Sequence, residues 1–269
     1  MLMPSNDLSK LLRLAQLAAR EIMEVYASDF AVSSKADLSP VTEADALAEK
    51  VILKGLRELW PDVPVLAEEA ASAGHMPVLG DRFFLVDPLD GTKEFTSRNG
   101  EFTVNIAMIE NGCPVMGVVY APAINQMYWG EAGKGAGFAV FGLTDLLADV
   151  CWQEIAVRKA PAEGLTVVAS RSHMDADTSG YLKHCDVKTL TSAGSSLKFC
   201  LIARGEADLY PRFGRTMEWD TAAGHAVLAA AGGSVCDVAG QPLLYGKPGF
   251  ENPHFIARGL PPSVPAQTG

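Results

Sequence analysis

The sequence predicts a mixed α/β protein in two halves, an α+β half followed by an α/β half. Three observations predict it. Two helical stretches with apolar residues at helical spacing open the chain. A run of β-rich segments then follows in close succession, as consecutive antiparallel strands do. Beyond about Pro161 helical and extended segments alternate, the rhythm of an α/β layer. The 269 residues are 48% hydrophobic and 20% charged, so a sizeable core can form and wholesale disorder is excluded.

Leu8 to Ala27 reads as the first helix. Leu11, Leu12, Leu14, Ala15, Ala18, Ile22 and Val25 share a face, and Ser5, Asn6 or Asp7 supplies a cap. Val32 to Asp37 reads as extended, then looped. Thr42 to Leu59 is the second helix, with Leu47, Val51, Ile52 and Leu56 on one side and Pro61 and Pro64 stopping it. Strands are expected at Pro64 to Ala67, Phe83 to Asp87, Phe102 to Ile109, Cys113 to Tyr120 and Gln126 to Gly130. Asn111-Gly112 forms a hairpin turn between two of them. In the second half Val167 to Ser170, Ala207 to Tyr210 and Val235 to Asp237 read as strands. Asp175 to Lys183, Ser195 to Arg204 and Asp220 to Ala231 read as helices, the last ended by Gly232-Gly233. The expected boundary falls between Asp145 and Pro161, giving residues 1–150 and 151–269. Gly137 to Trp152 carries no inference.

The formal net charge of −10 argues against a nucleic-acid surface, which needs a basic footprint. It leaves room for a small anionic substrate, because a bound metal inverts the local sign. No apolar run approaches the about 20 residues of a membrane span, and the N-terminus lacks the pattern of a signal peptide. The five cysteines are scattered without CxxC spacing, so reduced thiols in a cytoplasmic protein are expected. Peripheral association with the inner membrane and the oligomeric state stay open.

Asp87-Pro88-Leu89-Asp90-Gly91-Thr92 is the most informative segment. An apolar strand runs into two carboxylates three apart. Pro88 removes an amide donor, so the strand is expected to end there. Asp87, Asp90 and the Leu89 carbonyl can then converge as oxygen ligands for a hard cation such as Mg²⁺. Gly91 permits close backbone approach, and its amide with that of Thr92 can bind phosphate. The same residues also make an ordinary Asp-rich turn. Three other acidic sites carry the same ambiguity. Glu68 and Glu69 follow a short strand and also fit a solvated loop. Thr42 and Asp45 open a helix with capping-box spacing. Asp220 opens another and fits an N-cap.

Taken together, Thr42-Glu43-Ala44-Asp45, Glu68-Glu69, Asp87 to Thr92, Trp219-Asp220-Thr221-Ala222-Ala223-Gly224 and Ala231-Gly232-Gly233 resemble the inositol-monophosphatase superfamily, in its motif order and across nearly the whole chain. The resemblance implies a layered αβαβα sandwich and a Mg²⁺-dependent, lithium-sensitive phosphomonoesterase with two or three Mg²⁺. By matching position, Glu68, Asp87, the Leu89 carbonyl, Asp90 and Asp220 are the implied metal ligands, with Glu69 standing behind Glu68. Asp45 and Thr92 are the implied pair that orients the attacking water, next to Glu68. The departures are small: Ala67 stands where Ser or Gly is common, and Met217-Glu218 precedes Trp219-Asp220.

Finer segments resemble the bacterial 3′(2′),5′-bisphosphate nucleotidases of that superfamily. They are Ser39 to Thr42, Lys93 to Phe95, Arg98 to Asn105, Ser170 to His173, Gly194 to Phe199 and Tyr210 to Gly214. The resemblance implies removal of the 3′-phosphate of adenosine 3′,5′-bisphosphate, a by-product of sulfate assimilation, to give AMP. Substrate contacts are then expected from Glu68, Leu89, Asp90, Gly91, Thr92 and Asp220 at the scissile phosphate. Ser195, Ser196, Lys198 and Arg212 are expected at the other phosphate, with His173 on the adenine. His75, His184, His225 and His254 receive no role, and Trp219 is expected in the core. The same metal chemistry would serve an inositol monophosphate or a sugar bisphosphate. A catalytically silent nucleotide-binding regulator is a third reading, disfavoured by the full acidic set.

Overall fold

The computed structural model describes residues 3–34, 40–169 and 176–261. Its elements in chain order are α1 (Asn6–Tyr26), β1 (Ser33–Ser34), β2 (Pro40–Val41), α2 (Glu43–Leu59), β3 (Val65–Ala67), α3 (Glu68–Ser72), β4 (Arg82–Asp90), α4 (Thr92–Thr96), β5 (Thr103–Glu110), β6 (Cys113–Ala121), β7 (Gln126–Glu131), β8 (Gly135–Val140) and β9 (Gln153–Ile155). The chain continues with β10 (Leu165–Ala169), α5 (Ala176–Leu182), β11 (Val187–Ser192), α6 (Leu197–Ala203), β12 (Leu209–Arg212), α7 (Glu218–Ala230), β13 (Ser234–Asp237) and β14 (Phe255–Arg258).

The strands form two main sheets. The first runs β3-β4-β5-β6-β7-β8-β9 and is antiparallel apart from the β3–β4 pair. The second runs β11-β10-β12-β14-β13. Helices α1 and α2 pack on one face of the first sheet; α6 and α7 fill the space between the sheets; α5 lies against the second. This is a five-layer αβαβα sandwich.

The apolar pattern explains the layers. Leu8, Leu11, Leu12, Ala15, Ala18 and Ile22 are buried along α1 and pack with one face of β4, β5 and β6. Ser5 caps the helix by accepting from the Leu8 amide. The opposite face of that sheet joins α6, α7 and the second sheet in one core, so burial runs across residue 150. Two glycines let α7 lie directly on the strands. A Cβ at Gly117 would come within 2.6 Å of the Ala223 carbonyl, and one at Gly130 within 2.5 Å of that of Ala226. Asn111 and Gly112 both take positive φ, as a tight hairpin demands.

Several expectations shift. Strand β4 does not stop at Pro88. It continues to Asp90 through a bulge, where Asp87 pairs with Asn105 and Asp90 with Thr103. The proline sits where one extra residue leaves the ladder, so its missing amide costs nothing. In α2 Leu47 is exposed, while Ala44, Asp45, Ala48 and Glu49 face inward. Strands β8, β9, β11 and β14 and helix α3 are not expected from the sequence, whereas α4 is the short helical turn that Gly91 and Thr92 open. Strand β8 is glycine-rich and β11 is an exposed edge, so neither carries a clean apolar alternation. Among the described residues no helix is long and apolar enough to cross a membrane.

Candidate active site

Four elements deliver acidic side chains to one end of the first sheet. The β4 bulge turns its last residues out of regular pleat, so Asp87 and Asp90 serve the same end of the strand. The Asp87 carboxylate accepts from the Leu89 amide at 3.1 Å, closing the turn on itself. Gly91 follows with φ 89°, a left-handed conformation that glycine adopts without strain, and opens α4 at Thr92. Glu68 starts α3 directly after β3, which pairs in parallel with β4. No side chain at Ala67 caps α3. The buried Glu49 of α2 does so from across the layer, accepting from the Glu69 and Ala70 amides at 2.8 and 2.9 Å.

Asp45 does two jobs. Its carboxylate accepts from the Thr42 amide at 2.8 Å and the Thr42 hydroxyl at 2.9 Å, which closes the capping box of α2. Its other oxygen accepts from the Thr92 hydroxyl at 3.4 Å. Asp220 is in the same position at the start of α7, where it accepts from the Met217 amide at 2.8 Å. The α7 terminus is itself anchored. Buried Glu218 accepts from the Gly246 and Lys247 amides, and Asn252 donates to the Met217 carbonyl and the Thr221 hydroxyl.

Glu68, Asp87 and Asp220 each bring a carboxylate oxygen within 4.8 Å of the others. Asp90 belongs to the same electrostatic group. Burial pushes its pKa up to about 6, and the carboxylates of Glu94 and Glu68 add to the rise against the pull of Lys198. Burial, followed by Asp90 and Glu68, raises Asp220 well above the usual carboxylate range. Carboxylates crowded until protonation becomes easier are an all-oxygen donor set short of positive charge. That set fits a hard divalent cation.

The carboxylates border a cavity of about 330 Å³ whose lining includes Glu68, Asp90, Gly91, Thr92 and Asp220. Its far side is cationic. Lys198 is buried, and its amine donates to the Ala193 and Ser195 carbonyls at 3.2 and 2.6 Å. Burial lowers its pKa to about 8, offset in part by Asp90. An ammonium has three N–H bonds, so one remains beyond the two used among the described residues. Arg212 is 9% exposed; it donates through Nη2 to the Arg215 carbonyl, while its buried Nε has no partner among the described residues. Arg215 and Thr216 also line the cavity.

The cavity thus brings together Glu68, Asp90, Gly91, Thr92, Ser195, Lys198, Arg212 and Asp220 from the residues singled out in the sequence, with Asp87 in the carboxylate cluster. Asp45 reaches it through Thr92. Leu89 is buried, and its carbonyl lies 3.4 Å from the Thr92 hydroxyl. Ser196 is placed otherwise: it is buried, and its hydroxyl donates to the Asp220 carbonyl at 2.9 Å, inside the protein. The expected helix start at Ser195 also moves, because α6 begins at Leu197 and Ser195 takes a positive φ of 42°. His173 lies outside the described residues. Glu49 and Arg215 carry no expectation from the sequence, and Asn105 and Glu218 appear there only within the Arg98 to Asn105 and Met217 to Asp220 segments, without a role of their own. For Asn105 a signal existed, a polar amide between Val104 and Ile106 in an apolar strand.

A sequence model of the inositol monophosphatase family matches residues 5–261. The chain belongs to the inositol monophosphatase family. Within it, the chain is 50% identical over 251 residues to the 3′(2′),5′-bisphosphate nucleotidase CysQ of Escherichia coli (strain K12), covering 92% of this chain and 98% of that protein. It is 40% identical to CysQ of Buchnera aphidicola, with 94% of each covered. The crystal structure of CysQ from Bacteroides thetaiotaomicron, a bacterial member of the family, superposes with a TM-score of 0.77 at 39% identity. It covers 94% of this chain and 97% of that one.

Proposed function

We propose that this chain is a Mg²⁺-dependent 3′(2′),5′-bisphosphate nucleotidase that hydrolyses the 3′-phosphate of adenosine 3′,5′-bisphosphate to AMP and phosphate. The observation that carries the reading is a cavity acidic on one side and cationic on the other. A bisphosphate needs both: a metal site at the phosphate that is cut and a cationic site at the phosphate that is kept. The 50% identity to a nucleotidase over almost the full length of both chains supports the same substrate class.

In this reading Glu68, Asp87, Asp90, Asp220 and the Leu89 carbonyl hold two or three Mg²⁺. The bound metal would supply a more acidic water and neutralise charge on the departing ribose oxygen. The protein's own groups do the rest. Thr92 donates its hydroxyl hydrogen to Asp45, which leaves its oxygen to accept from a water and fix the direction of attack. The Gly91 and Thr92 amides lie beside the cavity, where donors to the phosphoryl oxygens are needed. Arg212 offers its unpartnered Nε, and Lys198 its remaining N–H, to the second phosphate. Ser195 lines the same stretch, and His173 is assigned to the adenine. Ser196 acts from behind, through Asp220. The setting is the cytoplasm, where sulfate assimilation yields this nucleotide.

Phosphate release tests the reading. Adenosine 3′,5′-bisphosphate should be hydrolysed faster than inositol 1-phosphate or fructose 1,6-bisphosphate, only with Mg²⁺ present, and Li⁺ should inhibit. A preference for inositol 1-phosphate would move the chain to the monophosphatases. No release from any of the three would mark a silent binder.

A further inference from the structure

We propose that Asn105 is a positioning residue that ties Asp90 to Asp220 across the gap between the two sheets, through Ser196. Asn105 lies in β5, opposite Asp87 in the strand register, and is fully buried. One amide hydrogen goes to the Asp90 carboxylate at 3.3 Å and the other to the Ser196 hydroxyl at 3.0 Å. Ser196 in turn donates to the Asp220 backbone carbonyl at 2.9 Å. The Asn105 carbonyl accepts from the Thr103 hydroxyl at 3.0 Å, and that hydroxyl lies 3.0 Å from Ser195 Oγ. Since Asp90 accepts when ionised, the amide nitrogen must face it, and every donor in the chain then finds an acceptor.

The consequence is geometric. Asp90 ends a strand of the first sheet, and Asp220 starts a helix between the sheets. The two carboxylates line one cavity, and two like charges there repel. The Asn105–Ser196 pair holds them together with neutral groups. A lysine in place of Asn105 would hold Asp90 more strongly but would cancel the charge a cation needs. An amide orients the carboxylate and leaves its charge intact. Partners of this kind behind metal ligands typically change metal affinity about 10- to 100-fold when removed.

The proposal rests on the reading of this cleft as a divalent-metal site, and its test separates the two. Mn²⁺ is titrated into metal-stripped protein and the free ion is read by electron paramagnetic resonance, with thermal melting in chelator as the fold control. Asn105→Leu, close in volume, and Ser196→Ala should each weaken Mn²⁺ binding about tenfold or more. The double variant should be little worse than the weaker single, because both cut the same bridge. Ser196→Thr, which keeps the hydroxyl, should restore binding to within about threefold of the parent, and the KM for the bisphosphate at saturating Mg²⁺ should stay unchanged in Ser196→Ala. A purely structural role would lower the melting temperature without moving Mn²⁺ affinity. Parent-like Mn²⁺ affinity in Ser196→Ala, or a double variant whose loss is the full product of the singles, overturns the proposal. If Asn105→Leu does not fold, the Ser196→Ala and Ser196→Thr pair decides alone. Parent-like Mn²⁺ binding in Asp90→Asn would remove the metal site itself, and the proposal with it, as a separately recognisable failure.

Discussion

The two sides of the cleft are built on opposite electrostatic logic. On the acidic side, Asp90 and Asp220 are pushed toward protonation by burial and by each other. On the cationic side, Lys198 is pushed toward losing its proton, and the Arg212 Nε is buried without a partner among the described residues. Each side is left short of opposite charge although the other lies across the same cavity. The attraction between Asp90 and Lys198 opposes both shifts but does not cancel either. Each side carries the deficit that its ligand would fill, a cation for the carboxylates and an anion for the arginine.

The largest expected effect comes from breaking the acidic side. Asp220→Asn keeps an oxygen for the Met217 amide but removes a charge, so the helix start should survive. Turnover of adenosine 3′,5′-bisphosphate at saturating Mg²⁺ should fall by about 10³-fold or more, as expected when several kcal/mol of charge stabilisation is lost. Melted in chelator, the same variant should be at least as stable as the parent, because repulsion within the cluster is relieved. Near-normal kcat, or a metal-free protein that loses stability, would show that Asp220 is chiefly a capping residue.

Breaking the cationic side should cost less. Arg212→Ala removes a charge-assisted donor worth about 1.5–3 kcal/mol, so KM for the bisphosphate should rise about 10- to 100-fold with kcat less affected. The discriminating measurement is hydrolysis of adenosine 3′-monophosphate, which lacks the second phosphate. Its KM should hardly move, and an equal rise for both substrates would detach Arg212 from the retained phosphate.

The two sides also differ in how far the sequence disclosed them. The acidic side was legible because its residues sit at element ends with local signatures: Thr42-x-x-Asp45, the Asp87 to Thr92 run, and Asp220 ahead of a helix. One carboxylate serves two contacts there, since Asp45 closes a capping box and accepts from Thr92 at once. The connections between sides were not legible. Glu49 caps a helix 20 residues away, and Asn105 reaches Ser196 91 residues along the chain. No periodicity encodes such contacts; they exist only once the layers stack. The β4 bulge was missed for a related reason, as Pro88 stops a regular strand but tolerates a bulged one. The layer order itself rested on family resemblance, because strands such as β11 and β14 are short and weakly patterned.

The sheet beneath both sides supplies a smaller effect. Gly130 faces the α7 backbone, with the Ala226 carbonyl and Val227 Cα within 2.6 Å of where a Cβ would sit. Neither is a flexible tip, so Gly130→Ala must push α7 away from β7. Overpacking of this kind costs about 1–3 kcal/mol, readable as a lower urea midpoint. Asp220 rides on that helix, so Mn²⁺ affinity should weaken as well. Unchanged affinity in a destabilised protein would show that the α7 start is held by Glu218 and Asn252 rather than by the sheet.

The smallest effect is a pH tilt in stability from His225, one turn behind the site on α7. Burial lowers its pKa to about 4, and its Nδ1 lies 3.0 Å from the Tyr245 hydroxyl, which also reaches Thr221 at 3.3 Å. The folded protein therefore resists the proton that the unfolded chain takes up below about pH 6.5. Between the two pKa values the unfolded state binds more protons, so stability drops as pH falls from 6.5 toward 4. At pH 6 the loss is about 1 kcal/mol relative to pH 8 and grows toward pH 4. His225→Gln keeps a polar partner for Tyr245 and cannot titrate, so its urea midpoints should fall less than the parent's between pH 8 and pH 5. The two carboxylates with raised pKa values act in the opposite direction in metal-free protein, since their protonation in the folded state favours folding at lower pH. Comparing the variant with the parent cancels that common contribution. Parallel pH profiles would mean that the imidazole is protonated as readily in the folded chain as in the unfolded one.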